Sequence, residues 1–154
     1  MSLNEGDPAP AFSLPASGGR TVSLSAMQGK PFVLYFYPKA DTPGCTREAC
    51  AFQEALPALG KIGIDVIGVS RDPMKPIEAF AKKYGLRFPL ASDTEATAAT
   101  AYGAWIEKSM YGRKYMGMER ATFLIDRQGR IARIWRKVKV DGHAAEVLAA
   151  AKGL

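Results

Sequence analysis

Phe32-Val33-Leu34-Tyr35-Phe36-Tyr37 runs straight into Pro38-Lys39-Ala40-Asp41-Thr42-Pro43-Gly44-Cys45-Thr46-Arg47-Glu48-Ala49-Cys50. The first six residues are apolar or aromatic without alternation, which is how a central strand buried on both faces reads. Two prolines and a glycine then break the run. From about Cys45 to Leu59 the apolar residues Ala49, Phe52, Leu56 and Leu59 recur at helical spacing, and Gly60 and Gly63 mark the end. The local arrangement is therefore a buried strand, a rigid loop, and a helix that opens at or near a cysteine. In open α/β sheets, sites form beyond the carboxyl ends of strands.

Outward from this segment, strand and helix patterns alternate. Upstream, Ala11–Leu14 and Thr21–Leu24 flank the turn-like Ser17-Gly18-Gly19 and predict a small hairpin. Downstream, Ile64–Ser70 reads as a second buried strand. Pro76–Tyr84 reads as a helix, with Gly85 just past its end. Phe88–Ala91 is a short strand, and Ser92, Asp93 and Thr94 offer N-caps for a helix near Glu95–Tyr102. Gly103–Glu119 has little periodicity and three glycines, and reads as a long irregular connection. Thr122–Asp126 and Arg130–Lys137 read as strands joined by Arg127-Gln128-Gly129, and Asp141–Ala151 as a terminal helix. This order predicts one α/β domain spanning residues 1–154, with a mixed central sheet flanked by helices. It matches a thioredoxin-like fold carrying an N-terminal hairpin extension.

The composition narrows the function. A chain of 154 residues with 47% hydrophobic content can bury a core. No apolar run is long enough to cross a bilayer. The start, Met1–Asp7, lacks a basic segment followed by an apolar stretch, so it does not read as a signal peptide. A cytoplasmic protein is expected. Two cysteines are too few for a disulfide scaffold, and with one histidine they make a poor zinc set. Residues 1–105 hold ten Lys/Arg and ten Asp/Glu, and residues 106–154 hold eleven and five, so the net +6 lies in the last third. Those cations are scattered among apolar positions, the pattern of a solvated basic face.

Cys45 carries the chemistry of this reading. A helix N-terminus adds positive potential and backbone N–H groups without intrahelical partners, and both favour thiolate over thiol. The Thr42 hydroxyl, three residues earlier, can donate to a thiolate or to a peroxide oxygen. Pro38 can wall the pocket. Taken singly, none of these is specific, because a buried cysteine is commonly inert.

Together they are. Pro38, Thr42 and Cys45 fill the pattern Pro-x-x-x-Thr-x-x-Cys, which resembles the active-site motif of the peroxiredoxins. The wider stretch Phe36–Thr46 with Glu48-Ala49-Cys50 is similar to the peroxiredoxin Q, or bacterioferritin comigratory protein, subgroup. The likeness runs from Gly6-Asp7-Pro8-Ala9-Pro10-Ala11-Phe12 to Ala121-Thr122-Phe123-Leu124-Ile125-Asp126. It implies a thiol-dependent peroxidase acting on hydrogen peroxide and organic hydroperoxides, without cofactor or metal. Cys45 would be the peroxidatic and Cys50 the resolving cysteine. Arg120 would hold the thiolate and orient peroxide through its planar donors. An intramolecular Cys45–Cys50 disulfide, recycled by thioredoxin or a similar dithiol protein, and a monomeric state follow from the same resemblance.

Five residues of unbroken α-helix separate two Cα atoms by roughly 8.7 Å and point the side chains about 140° apart. A disulfide usually needs about 4.4–6.8 Å. The first one or two turns are therefore expected to unwind after Cys45 is oxidised. Phe36, Tyr37 and Trp105 could line the pocket. Arg47 and Glu48 are either a surface pair or neighbours of the site, and His143 is expected at the surface. Two rivals remain. A thiol–disulfide oxidoreductase without peroxidase activity usually spaces its cysteines as C-x-x-C, whereas four residues intervene here. A basic nucleic-acid-binding domain would lose affinity steeply with salt and leaves the motif unexplained.

Overall fold

The computed structural model describes residues 3–154, so Met1 and Ser2, the first residues of the segment read as lacking a leader, fall outside it. In chain order the elements are β1 (Ser13–Ala16), β2 (Arg20–Ser23), β3 (Phe32–Phe36), α1 (Pro43–Lys61), β4 (Asp65–Ser70), α2 (Met74–Tyr84) and β5 (Leu90–Ser92). They continue with α3 (Thr97–Ala101), β6 (Trp105–Met110), β7 (Arg113–Met118), β8 (Ala121–Ile125), β9 (Ile131–Trp135) and α4 (His143–Ala151).

Seven strands form one mixed sheet in the order β2-β1-β5-β4-β3-β8-β9. β3 lies near its middle, parallel to β4 and antiparallel to β8. Every residue of β3 is buried, as its unbroken apolar run requires. Alternation sorts its side chains to opposite faces. Phe32, Leu34 and Phe36 join one core with Ile67, Val69, Phe123 and Ile125, closed by Phe12, Leu14 and Val22 of the N-terminal extension and by Tyr102. Val33, Tyr35 and Tyr37 join the other core, beneath Phe52 and Leu59 of α1, Ile77 and Phe80 of α2, and Val147 of α4. Phe52 is fully buried, stacks on Tyr35 at 4.8 Å between ring centroids, and meets the His143 ring edge-on at 6.0 Å.

Element ends move by at most two residues from the sequence reading. α1 starts two residues before Cys45, because Pro43 occupies its first turn, where the missing N–H costs nothing. Gly60 lies inside α1 rather than ending it, and the chain turns at Gly63, with φ 75°. Gly85 ends α2 in the left-handed conformation with φ 62°, as read.

One reading is corrected. Gly103–Glu119 is not an irregular connection but holds β6 and β7, a two-stranded antiparallel ribbon outside the main sheet. Its turn at Tyr111-Gly112 has φ 52° and 76°, the double positive φ of a tight hairpin turn. The ribbon is mostly exposed on both faces, so no buried side imposes the alternation that would mark strands in the sequence.

Candidate active site

β3 delivers the chain to the carboxyl end of this central strand at Phe36, and the loop from Pro38 to Thr42 is pinned there at two points. The Ala40 N–H donates to Asp72 Oδ2 at 2.7 Å, and the Ser70 hydroxyl donates to the same oxygen at 2.8 Å, tying the loop to the end of β4. Asp41 adopts φ 61°, a costly conformation for a residue with a side chain. Its carboxylate is held by Lys83 Nζ at 3.0 Å and the Tyr84 hydroxyl at 2.8 Å, and these hydrogen bonds keep its pKa below the usual range.

The loop sets the first turn of α1, in which Thr42 is the N-cap residue and the Thr46 N–H donates to the Thr42 carbonyl at 2.8 Å. Cys45 follows in this turn and is 1% exposed. Arg120, between β7 and β8, reaches over it. Arg120 Nη2 donates to Cys45 Sγ at 3.4 Å, and Nη1 donates to Glu48 Oε1 at 2.7 Å. One planar fork thus holds two residues a turn apart on α1. Gly44 makes room for it, since a Cβ there would stand 3.2 Å from Arg120 Nη2.

Burial controls the electrostatics. Glu48 is 1% exposed; its Oε1 is paired with Arg120, and its Oε2 is buried without a partner among the described residues. Burial pushes its pKa up to about 7, although Arg120 pulls the other way. For Arg120, burial works against the charge, but the facing Glu48 and Cys45 outweigh it, so the guanidinium stays charged. Behind the sulfur, burial raises the Tyr35 and Tyr37 phenols well above their ordinary range, and both hydroxyls lack a partner among the described residues.

Cys45, Thr42, Arg120 and Pro38 all fall at this end of the sheet, with differences from the sequence reading. The Thr42 hydroxyl spends its one proton on the Lys39 carbonyl at 2.8 Å, so it presents lone pairs rather than a donor. Pro38 is exposed and forms a rim rather than a sealed wall. Cys50 is half-buried on the same unbroken helix as Cys45, and both thiols are free. Arg47 is exposed, which leaves Glu48 as the site neighbour that the sequence could not separate from a surface pair. A glutamate three residues after a nucleophile on one helix lies on the same face, and that spacing was the available signal. Tyr37 and Phe36 are core residues, and Trp105 lies under the Arg71 guanidinium at 4.5 Å.

His143 is not a surface residue. It is 4% exposed, and its Nε2 shares a 2.8 Å hydrogen bond with the Thr122 hydroxyl of β8. Burial lowers its pKa to about 4, so the ring is neutral. Its place at the start of α4, which packs across α1, takes it inside despite its distance from the motif in sequence.

Comparisons with known proteins agree with this geometry. A model of the AhpC/TSA family matches residues 5–134. The putative peroxiredoxin bcp of Coxiella burnetii is 49% identical over 148 residues, covering 96% of this chain and 98% of the relative. Peroxiredoxin Bcp of Bacillus subtilis is 44% identical over 154 residues, covering 100% and 98%. Among solved structures, the bacterioferritin comigratory protein of Xanthomonas campestris, studied for alkyl peroxide reduction, has a TM-score of 0.89 at 45% identity, covering 92% of this chain and 90% of that one. A PrxQ mutant from Xylella fastidiosa has a TM-score of 0.93 at 41% identity, covering 99% and 98%. The fold is the thioredoxin-like fold of the peroxiredoxins, and the chain belongs to the AhpC/TSA family, alongside the proteins called peroxiredoxin Q or bacterioferritin comigratory protein.

Proposed function

We propose that Cys45 is the sulfur that attacks peroxide and that Cys50 resolves it. The chain is a thiol-dependent peroxidase, taking peroxides as substrates and a thiol as reductant. The observation that carries the residue assignment is the Arg120 contact to Cys45 Sγ at 3.4 Å. A guanidinium there offers fixed, charged donors along the line of attack.

The thiolate attacks one peroxide oxygen, an S–O bond forms, and the O–O bond breaks. The electron pair leaves on the distal oxygen as hydroxide or alkoxide, which takes a proton from solvent. Negative charge moves from sulfur towards the leaving oxygen, so donors already aimed there bind the transition state better than the ground state. Arg120 and the N–H groups of the first turn of α1 are those donors. The Thr42 hydroxyl, its proton committed to Lys39, accepts from the O–H of the hydroperoxide. The Cys45 sulfenic acid then condenses with the Cys50 thiol, forming the disulfide and releasing water. A dithiol protein of the thioredoxin type returns two electrons and two protons.

Cys45 and Cys50 share α1 from Pro43 to Lys61, so condensation requires its first turns to open. A bridge within one helix needs no second subunit, which supports a monomer, and recycling by a dithiol suits the cytoplasm. Among the described residues, no helix is long and apolar enough to cross a membrane. Stopped-flow mixing with hydrogen peroxide and with an alkyl hydroperoxide tests the scheme. Cys45→Ser should abolish turnover, and Cys50→Ser should keep one oxidation and lose recycling by thioredoxin. Normal recycling in Cys50→Ser would remove its assigned role, and disulfide exchange without peroxide consumption would favour the oxidoreductase alternative.

A further inference from the structure

Resting on the reading of Cys45 and Cys50 above, we propose that Glu48 is a positioning residue that sets the balance between the two halves of the cycle, fixing Arg120 on the sulfur while α1 is wound and releasing its proton as α1 opens. The two halves make opposite demands. Attack on peroxide needs the first turns of α1 intact, with Arg120 on Cys45. Disulfide formation needs those turns undone. Glu48 lies between the two cysteines in sequence, and Arg120 grips Cys45 and Glu48 together, so opening α1 past residue 48 must break the 2.7 Å pair.

The charge that breaks free is an unusual one. Glu48 is 1% exposed, and only one of its two oxygens has a partner among the described residues. It faces Cys45 from its own helix, Arg120 from the start of β8, and the phenols of Tyr35 and Tyr37 from β3 and its end. Asp72 lies beyond Tyr37, and His143 of α4 faces Arg120 from the far side. Arg120 is the one cation in that set at neutral pH, and it is shared with the sulfur. An opened α1 places the carboxylate in water, where its pKa returns to the ordinary range.

The linkage has a definite sign. In the wound helix the Glu48 pKa stands at about 7 against a reference of 4.5. The wound form therefore holds the proton over that interval and the opened form does not. Protonation of Glu48 stabilises the wound helix below about pH 4.5, and this stabilisation is lost as pH rises through about 7. Alkaline conditions favour opening, and the full interval of the two values corresponds to at most about 300-fold in the opening equilibrium.

The test is the unimolecular disulfide-forming phase after oxidation, followed by stopped-flow fluorescence from pH 5 to 8 in the full chain. Wild type should accelerate as pH rises, and because the pH dependence of the attacking thiol is common to every variant, the quantity read is the ratio of the wild-type to the Glu48→Gln rate. Glu48→Gln imitates the protonated acid and keeps an acceptor for Arg120. That ratio should grow at least tenfold from pH 5 to pH 8, with Glu48→Gln resolving at least tenfold more slowly than wild type at pH 8. Glu48→Ala removes the grip, so it should slow the peroxide phase and speed resolution. A residue that merely stabilises the fold would speed resolution in both variants. Glu48→Gln resolving faster than wild type, or a wild-type to variant ratio that stays flat from pH 5 to pH 8, overturns the proposal. A wild-type protein with no peroxide-dependent first phase overturns the parent reading, and the proposal with it. A normal first phase with unaltered behaviour in Glu48→Gln overturns only the role of Glu48.

Discussion

Replacing Arg120 by methionine should reveal a buried carboxylate through the pH dependence of stability. The Arg120 side chain is 17% exposed and that of Glu48 is 1% exposed, so solvent screens their 2.7 Å pair little. Methionine keeps most of the volume and removes the only partner that Glu48 Oε1 has among the described residues. Stranding one member of a buried pair costs about 3–5 kcal/mol. The carboxyl can escape part of that by binding a proton, so the loss should be about 3 kcal/mol at pH 8 and clearly smaller at pH 5.5. Arg120→Met with Glu48→Gln has no charge to strand and should regain most of the loss at pH 8. Urea titration at the two pH values, with a constant denaturant slope, reads these differences directly. The same single variant should slow the peroxide phase by about 10²–10³, the usual effect of removing one fixed donor from a transition state. An equal loss at both pH values, with no recovery in the double variant, would refute the reasoning about Glu48.

Other outcomes follow from the packing. In a Glu48→Gln background, stability should fall as pH drops from 6.5 towards 4, because the unfolded chain protonates His143 while the buried ring resists, its pKa held at about 4. Thr122→Val removes its hydrogen-bond partner and should cost about 1 kcal/mol in the same urea assay. Gly68→Ala would put a Cβ 2.8 Å from Leu90 Cδ2 and 2.9 Å from Tyr35 Cζ, and this overpacking should cost about 1–3 kcal/mol and lower the thermal midpoint. Asp93→Ala leaves the Ala98 and Ala99 N–H groups without their carboxylate acceptor, costing about 1–2 kcal/mol by thermal denaturation.

What the sequence made legible is what local physics dictates. β3 could be read because burial on both faces erases polar positions, and α1 because its apolar residues keep helical spacing up to Leu59. That Cys45, Thr42 and Pro38 lie together could be read because a short motif holds them within eight residues. The β6–β7 ribbon could not, since both its faces meet solvent and no core selects its alternation. His143 and Glu48 failed for a different reason. Each is a polar residue whose burial depends on a partner far along the chain, Thr122 for one and Arg120 for the other. Residue type favours the surface for Glu48 and leaves His143 undecided, and only the tertiary contact places them inside.

The stacking of Phe52 on Tyr35 has a consequence for how the proposed disulfide cycle would reset. Phe52 sits two residues beyond Cys50 and is locked between the sheet and α4. Fraying from the N-terminal end of α1 therefore stops at an anchored ring, and the remainder of the rod, to Lys61, stays formed. When the proposed Cys45–Cys50 disulfide is reduced, the loose turns would zip back onto an existing template. The nucleation penalty of a new helix, a factor of about 10⁻³, does not arise, and each added residue closes its own hydrogen bond as it joins. On the proposed cycle the catalytic geometry is dismantled and rebuilt at the pace of helix elongation, with Cys45, Glu48 and Ala49 leaving and rejoining a core that Phe52 keeps anchored.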